Sequence, residues 1–198
     1  MVSHSTLTTF VAFILIVVGC TAQPVQPAPP QPPTNTPLPV ASPTPVPTPP
    51  AAAKACQTEQ LLMALCQGDA ATGHRRLNFL LVNTSKDPCV LRGYPQLVLL
   101  GDGGQPLPTT VKTGNTSYMF TTGTPSDVVL RPNEVASFAV GYAVIPTEPQ
   151  TQTDCRQANR LQVTPPGNPT ALTTQVPMNP CGGEVSVSPI VSGATGPQ

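Results

Sequence analysis

The sequence predicts an all-β fold, an immunoglobulin-like antiparallel β-sandwich of about seven to eight strands, preceded by a signal peptide and a disordered proline-rich linker. Three observations lead there. Proline accounts for 28 of 198 residues, against an average of about 5%, and 13 of these fall within residues 1–50, where no Asp, Glu, Lys or Arg occurs. After Ala51, short apolar runs alternate with clusters of Gly, Pro, Asn and Thr, the pattern of strands joined by turns. No stretch shows sustained helical periodicity with caps.

The charge pattern excludes several classes. Lys plus Arg and Asp plus Glu number 9 each, and charged residues make up 9% of the chain, against about 25% in a typical domain. A nucleic-acid binder needs a basic surface, and attachment to anionic lipid needs a polybasic segment. Neither is present, so no nucleic-acid partner is expected.

Residues 1–19 read as a signal peptide. Phe10 to Val18 is an apolar run of nine, too short for a membrane span of about 20 residues but suited to a signal core. The run ends in Val17-Val18-Gly19-Cys20. This resembles the bacterial lipobox, in which small residues precede a cysteine that receives diacylglycerol. Cys20 is therefore the expected lipidation site and membrane anchor. Residues 20–53 form the linker. Their Thr-Pro and Val-Pro dipeptides lack the amide donors that helices and sheets require and favour extended polyproline II. Some 30 residues at about 3.1 Å each give a semi-rigid spacer of about 90 Å.

The domain is placed at residues 54–193, long enough to bury a core, with 194–198 as a disordered tail. Leu61–Leu65 is the first candidate strand, although its periodicity also permits a helical turn. Leu77–Val82 follows, with Leu77, Phe79 and Leu81 on one face. Gln96–Leu100 is closed by Gly101-Asp-Gly-Gly104, and Asp-Gly between apolar runs is a strong hairpin signal, so Leu107–Val111 is expected to return along it. Val128–Leu130 leads into the turn Arg131–Glu134. Val135–Val144 alternates, with Phe138, Val140 and Tyr142 on one side. Leu161–Val163 and Val185–Val187 complete the set. Without tryptophan the core is aliphatic, with Phe79 and Phe138 as its expected aromatic members.

Five cysteines follow the linker: Cys56, Cys66, Cys89, Cys155 and Cys181. An exported domain favours disulfides. No Cys-x-x-Cys spacing exists and His74 is the one histidine nearby, so no metal site is expected. Five choices of odd residue and three pairings leave 15 arrangements open. Cys155–Cys181 is favoured because both members flank the last two strands. Cys56–Cys89 is the second expected bond, with Cys66 as the candidate free thiol.

Catalytic motifs are missing from the sequence: no Gly-x-Ser-x-Gly, His-Glu-x-x-His, phosphate loop or dinucleotide fingerprint occurs. No catalytic residue and no cofactor is expected. His74-Arg75-Arg76 is the one basic cluster and reads as a solvated loop before a strand. Asp102, Asp127 and Asp154 sit beside turn residues and read as turn or cap groups. Tyr94, in Gly93-Tyr94-Pro95, reads as structural, with a packed ring and a hydrogen-bonded hydroxyl.

Asn83 followed by Cys89-Val-Leu-Arg-Gly-Tyr-Pro95, Leu130-Arg-Pro132 with Ala136, Cys155-x-x-Ala158-x-x-Leu161-x-Val163-x-Pro-Pro-Gly167, and Cys181-Gly-Gly-x-Val-x-Val-Ser-Pro189 together resemble the domain of unknown function 4232 (DUF4232). The resemblance spans residues 56–191. It implies a β-sandwich in an exported bacterial protein, often a lipoprotein with a low-complexity linker, and no established activity. Asn133 stands where that family commonly has glycine, and asparagine also tolerates the left-handed conformation.

The expectation is a non-enzymatic, monomeric lipoprotein, held outside the cytoplasm at the bacterial membrane by Cys20. It would display its domain on a stalk to a protein or glycan partner. A structural envelope component and an extracytoplasmic small-ligand carrier or enzyme are the alternatives.

Overall fold

The computed structural model describes residues 53–146 and 155–196. The expected signal peptide, Cys20, most of the linker and Asp154 lie outside the described residues. Among the described residues no helix is long and apolar enough to cross a membrane.

The chain folds as an all-β sandwich. Twelve strands lie among the described residues: β1 Lys54–Ala55, β2 Leu61–Ala71, β3 His74–Asn83, β4 Cys89–Leu91, β5 Gln96–Leu100, β6 Thr110–Thr113, β7 Val128–Leu130, β8 Val135–Ala143, β9 Ala158–Thr164, β10 Leu172–Met178, β11 Glu184–Val187 and β12 Val191–Ser192. One sheet runs β2-β3-β8-β11-β6, with β12 also on β8; two smaller sheets run β1-β4-β7 and β10-β9-β5. The apolar faces of all three meet in a single core that includes Phe79, Leu81, Leu91, Leu99, Phe138, Leu161 and Val163.

The strand count exceeds the expected seven to eight, and pairing is not antiparallel throughout. β1 runs parallel to β4, and β6 parallel to β11. Leu61–Leu65 opens an 11-residue strand rather than a helical turn. Thr72 (φ 44°) and Gly73 (φ 76°) turn it into β3, pairing Ala71 with His74 in the two-residue geometry that needs positive φ at both positions. β3 and β8 then pair from His74↔Ala143 to Val82↔Val135. This sets Phe79 opposite Phe138, with ring centroids 5.3 Å apart.

The hairpin after β5 is only partly as expected. The turn forms: Gly101 N–H donates to Gln105 O, Gly104 N–H donates to Gly101 O, and Gly104 takes φ 79°, a three-residue loop closed by a left-handed glycine. Beyond it the chain bridges back through Pro106 and through Leu107 N–H to Leu99 O, then departs. Pro106 and Pro108 remove the amide donors a longer ladder would use, so β6 joins β11 instead. β10 was not among the expected strands; it contains Pro177, and the register shift between Gln175 and Met178 accommodates that proline.

Asn83 ties the upper end of the sandwich together. It is fully buried. Its Nδ2 donates to the carbonyls of Asp87 (2.8 Å) and Leu130 (3.0 Å), and its Oδ1 accepts from the Ser85 N–H (3.0 Å) and hydroxyl (2.7 Å). Its backbone carbonyl accepts from Asn133, whose φ is 66°. This is the left-handed conformation that the asparagine at this turn tolerates. A second asparagine, Asn168, accepts from Thr58 N–H (2.9 Å) and donates to Cys56 O (2.8 Å), fastening the first described residues to the turn after β9.

Candidate functional site

Side chains outside the core gather over the end of the large sheet near the β2–β3 hairpin. Here β8 carries Gly141 on the face opposite Phe138 and Val140. A Cβ at Gly141 would lie 3.3 Å from Met119 and 3.4 Å from Ser117, so the loop between β6 and β7 packs closely on the sheet at this glycine. That loop folds back through the Thr116–Thr121 bridge and through Ser117 N–H to Phe120 O. Tyr94 steadies it, its hydroxyl donating to Asn115 Oδ1 at 2.5 Å; the hydrogen-bonded structural role read from the sequence matches this placement.

Between loop and sheet is a cavity of about 340 Å³, lined among others by His74, Ser117, Tyr118, Glu184 and Ser186. Tyr118 is 69% exposed and stacks on His74 with centroids 4.0 Å apart and planes 22° apart. His74 Nδ1 lies 3.0 Å from Thr72 O; a carbonyl only accepts, so Nδ1–H donates there and Nε2 is the ring's second nitrogen. Glu184 follows Gly182 (φ 74°) and Gly183 (φ 64°), two left-handed residues that swing the chain from Cys181 into β11. Cys181 N–H donates to Ala143 O at 2.9 Å, fixing that bend against β8. The Glu184 carboxylate holds Lys112 at 2.7 Å. A second hollow, where β1 meets β4, is lined by Lys54, Gln57, Gln60 and Asp87 and carries no aromatic side chain.

The basic cluster is not the solvated loop expected from sequence. His74, Arg75 and Arg76 are all in β3, because the β2 partner strand extends to Ala71. Arg76 pairs with Asp69, its register partner, and donates to Met119 O at 3.4 Å. Arg75 sits opposite Tyr142. Burial raises the pKa of the Tyr142 hydroxyl, with the Arg75 charge opposing it. Asp102 accepts from Asn159, and Asp127 lies 3.4 Å from Arg92, both away from the cavity. The Glu134 carboxyl is held below its usual range, first by the Arg131 backbone N–H. Among the described residues no three His, Cys, Asp or Glu side chains gather as a metal site.

Cys56 is bonded to Cys89 with a Cα separation of 4.7 Å, and Cys155 to Cys181. Cys66 departs from expectation. It lies at the bulge between Leu65 and Gln67 and is disulfide-bonded rather than a free thiol.

The model of the family described as domain of unknown function (DUF4232) matches residues 56–191. The chain belongs to this family. No curated protein and no solved structure matches it. The sequence features that carry the DUF4232 resemblance have visible structural duties here. Asn83 and the Arg131–Glu134 turn hold the upper end, Pro165-Pro166-Gly167 leads to Asn168 and its hold on Cys56, and Cys181-Gly182-Gly183 aims Glu184. The cavity residues Tyr118, Ser117 and Ser186 were not singled out from sequence. The one available signal was Gly141, a residue without a side chain in the middle of an apolar alternation.

Proposed function

We propose that this DUF4232 protein is a lipid-anchored, non-enzymatic binding module of the bacterial cell surface or periplasm, raised from the membrane on its proline-rich segment. The observation that carries the reading is the lipobox-like Val17-Val18-Gly19-Cys20 followed at once by a charge-free proline tract. Two disulfides within the domain support it, because such bonds persist in oxidising compartments. The scatter of Asp102, Asp127 and the Arg76–Asp69 pair favours binding over catalysis, since a hydrolytic site needs its nucleophile, base and orienting group in mutual reach.

Fractionation of the native host tests the anchor. Cys20→Ser is expected to shift the protein from the membrane fraction into the medium or periplasm, and retention in the membrane overturns the reading. Mass spectrometry supplies an independent check. A diacylglyceryl group on Cys20 is expected at the start of the mature protein, and a mature protein whose Cys20 carries no lipid refutes the anchor.

A further inference from the structure

We propose that the cavity beneath the 114–122 loop is a binding site for a neutral saccharide, with Tyr118 as its stacking shelf and Glu184 and His74 as its principal polar groups. This deepens the binding-module reading and is independent of the lipid anchor.

The shape and chemistry of the cavity argue for it. Its volume, about 340 Å³, falls within the range of small-ligand sites, about 300–1,000 Å³. Tyr118 is a large aromatic ring that the fold leaves 69% exposed, yet it is not loose: one face rests on His74 at 4.0 Å, and its loop is fastened by Tyr94 through Asn115. A ring held in place before ligand arrives costs little entropy on binding. Its electron-rich face suits the weakly positive C–H face of a pyranose.

Around that shelf the polar atoms are mostly acceptors or hydroxyls. Glu184 binds Lys112 through one oxygen, Oε2, leaving Oε1 for a second donor. His74 turns Nδ1 to Thr72 O, which leaves Nε2 as the ring nitrogen available to a ligand. The Ser117 hydroxyl oxygen accepts from Met119 N–H at 3.1 Å, which leaves its own O–H to donate. The Ser186 hydroxyl lines the same space. Vicinal hydroxyls of a sugar, each both donor and acceptor, complement this set.

Charge then selects among hydroxylated ligands. The two ion pairs beside the cavity, Lys112–Glu184 and Arg76–Asp69, are each internally compensated. Glu184 is the one carboxylate in the lining and Lys112 compensates it, so a neutral sugar is favoured over a uronate or a free amino sugar.

The test is titration of the full chain, purified in a detergent without a sugar headgroup and followed by NMR shifts. The probes are glucose, mannose, galactose and N-acetylglucosamine, their β-1,4- and α-1,4-linked trimers, glucuronate and glucosamine. At least one neutral member is expected to saturate with a Kd of about 0.1–1 mM. Tyr118→Ala should weaken it about tenfold or more while Tyr118→Phe retains it, and affinity should hold between 0.05 and about 0.5 M salt, since a neutral ligand has no charge to screen. Preference for trimers points to a wall glycan, and equal affinity for monosaccharides points to a free sugar; either supports the site. Three results overturn it: no neutral probe saturating below about 10 mM, Tyr118→Ala binding as well as wild type, or binding confined to the charged probes. Failure here leaves the anchor reading standing, while retention of Cys20→Ser in the membrane with saccharide binding intact defeats only the anchor.

Discussion

Replacing Asn83 with alanine is expected to be among the most damaging single changes outside the apolar core. The side chain makes four hydrogen bonds from a fully buried position. Two of its partners, Ser85 and Asp87, belong to an exposed turn where water can replace part of what is lost. The Leu130 carbonyl is different: its bond to Asn83 is buried, and water does not reach it. A buried polar group left bare costs about 1–3 kcal/mol, and a net hydrogen bond contributes about 1 kcal/mol. Loss of the Leu130 contact together with loosening of the turn therefore sums to about 2–4 kcal/mol. Ser85→Ala keeps the Leu130 contact and should cost about 1 kcal/mol. Asn83→Asp keeps the acceptor that holds Ser85 but turns an oxygen towards the Leu130 carbonyl, so it should be at least as harmful as alanine. Urea unfolding of the oxidised protein, followed by far-ultraviolet circular dichroism, measures all three through their midpoints. If Asn83→Ala costs no more than Ser85→Ala, the claim that this residue unites β3, β7 and two turns is wrong.

Tyr142→Phe should leave neutral-pH stability nearly unchanged but alter the alkaline limb. Burial raises the Tyr142 pKa above the unfolded value of 10.0, so its contribution is complete below pH 10 and is lost as pH rises from there through the folded-state pKa; an identical alkaline limb in the phenylalanine variant would contradict this. At position 133, where φ is 66°, glycine should be tolerated within about 1 kcal/mol while valine destabilises by about 1–3 kcal/mol, read from thermal melts; equal melts for the two refute a left-handed requirement. Replacing Cys56 and Cys89 together by serine opens a loop of 33 residues and should cost about 3–4 kcal/mol in the chain-entropy treatment, with an unchanged urea midpoint as the contrary result. Phe138→Ala should lower stability by about 3–5 kcal/mol, and a loss under 1 kcal/mol would deny the Phe79–Phe138 contact its central place.

Where the sequence spoke plainly, one physical rule dominated. Alternation placed Phe79, Leu81, Phe138 and Val140 on the core face because strand periodicity is two and one sheet face must be buried. It failed where two rules competed. In β10 Pro177 works against a strand, yet an edge position with a register shift admits a proline. After β5 the Asp-Gly signal located the turn, but Pro106 and Pro108 decided where the returning segment went. The cavity was hidden for a different reason. Tyr118 and His74 meet only because the β6–β7 loop crosses the sheet over Gly141, and no local pattern encodes a crossing of that kind. Polar clamps were half legible: Asn83 and Asn133 stood out within recognisable motifs, while Asn168 gained meaning only once Cys56 was seen beneath it.

The arrangement at the first residues of the domain also governs how it would bear load. Pulling on the chain ahead of Lys54 acts along β1, which lies parallel to β4 and holds only the pairs Lys54↔Cys89 and Ala55↔Val90. Behind that short zipper comes the Cys56–Cys89 covalent link. Force arriving at Cys56 passes through sulfur into β4 and onward to β7, and the whole β2–β3 hairpin, between the two cysteines in sequence, is bypassed. Load applied ahead of Lys54 would strip two residues of strand before it reaches that bond. Reduction of one disulfide would convert a fixed hitch into a thread from which the largest hairpin unravels first.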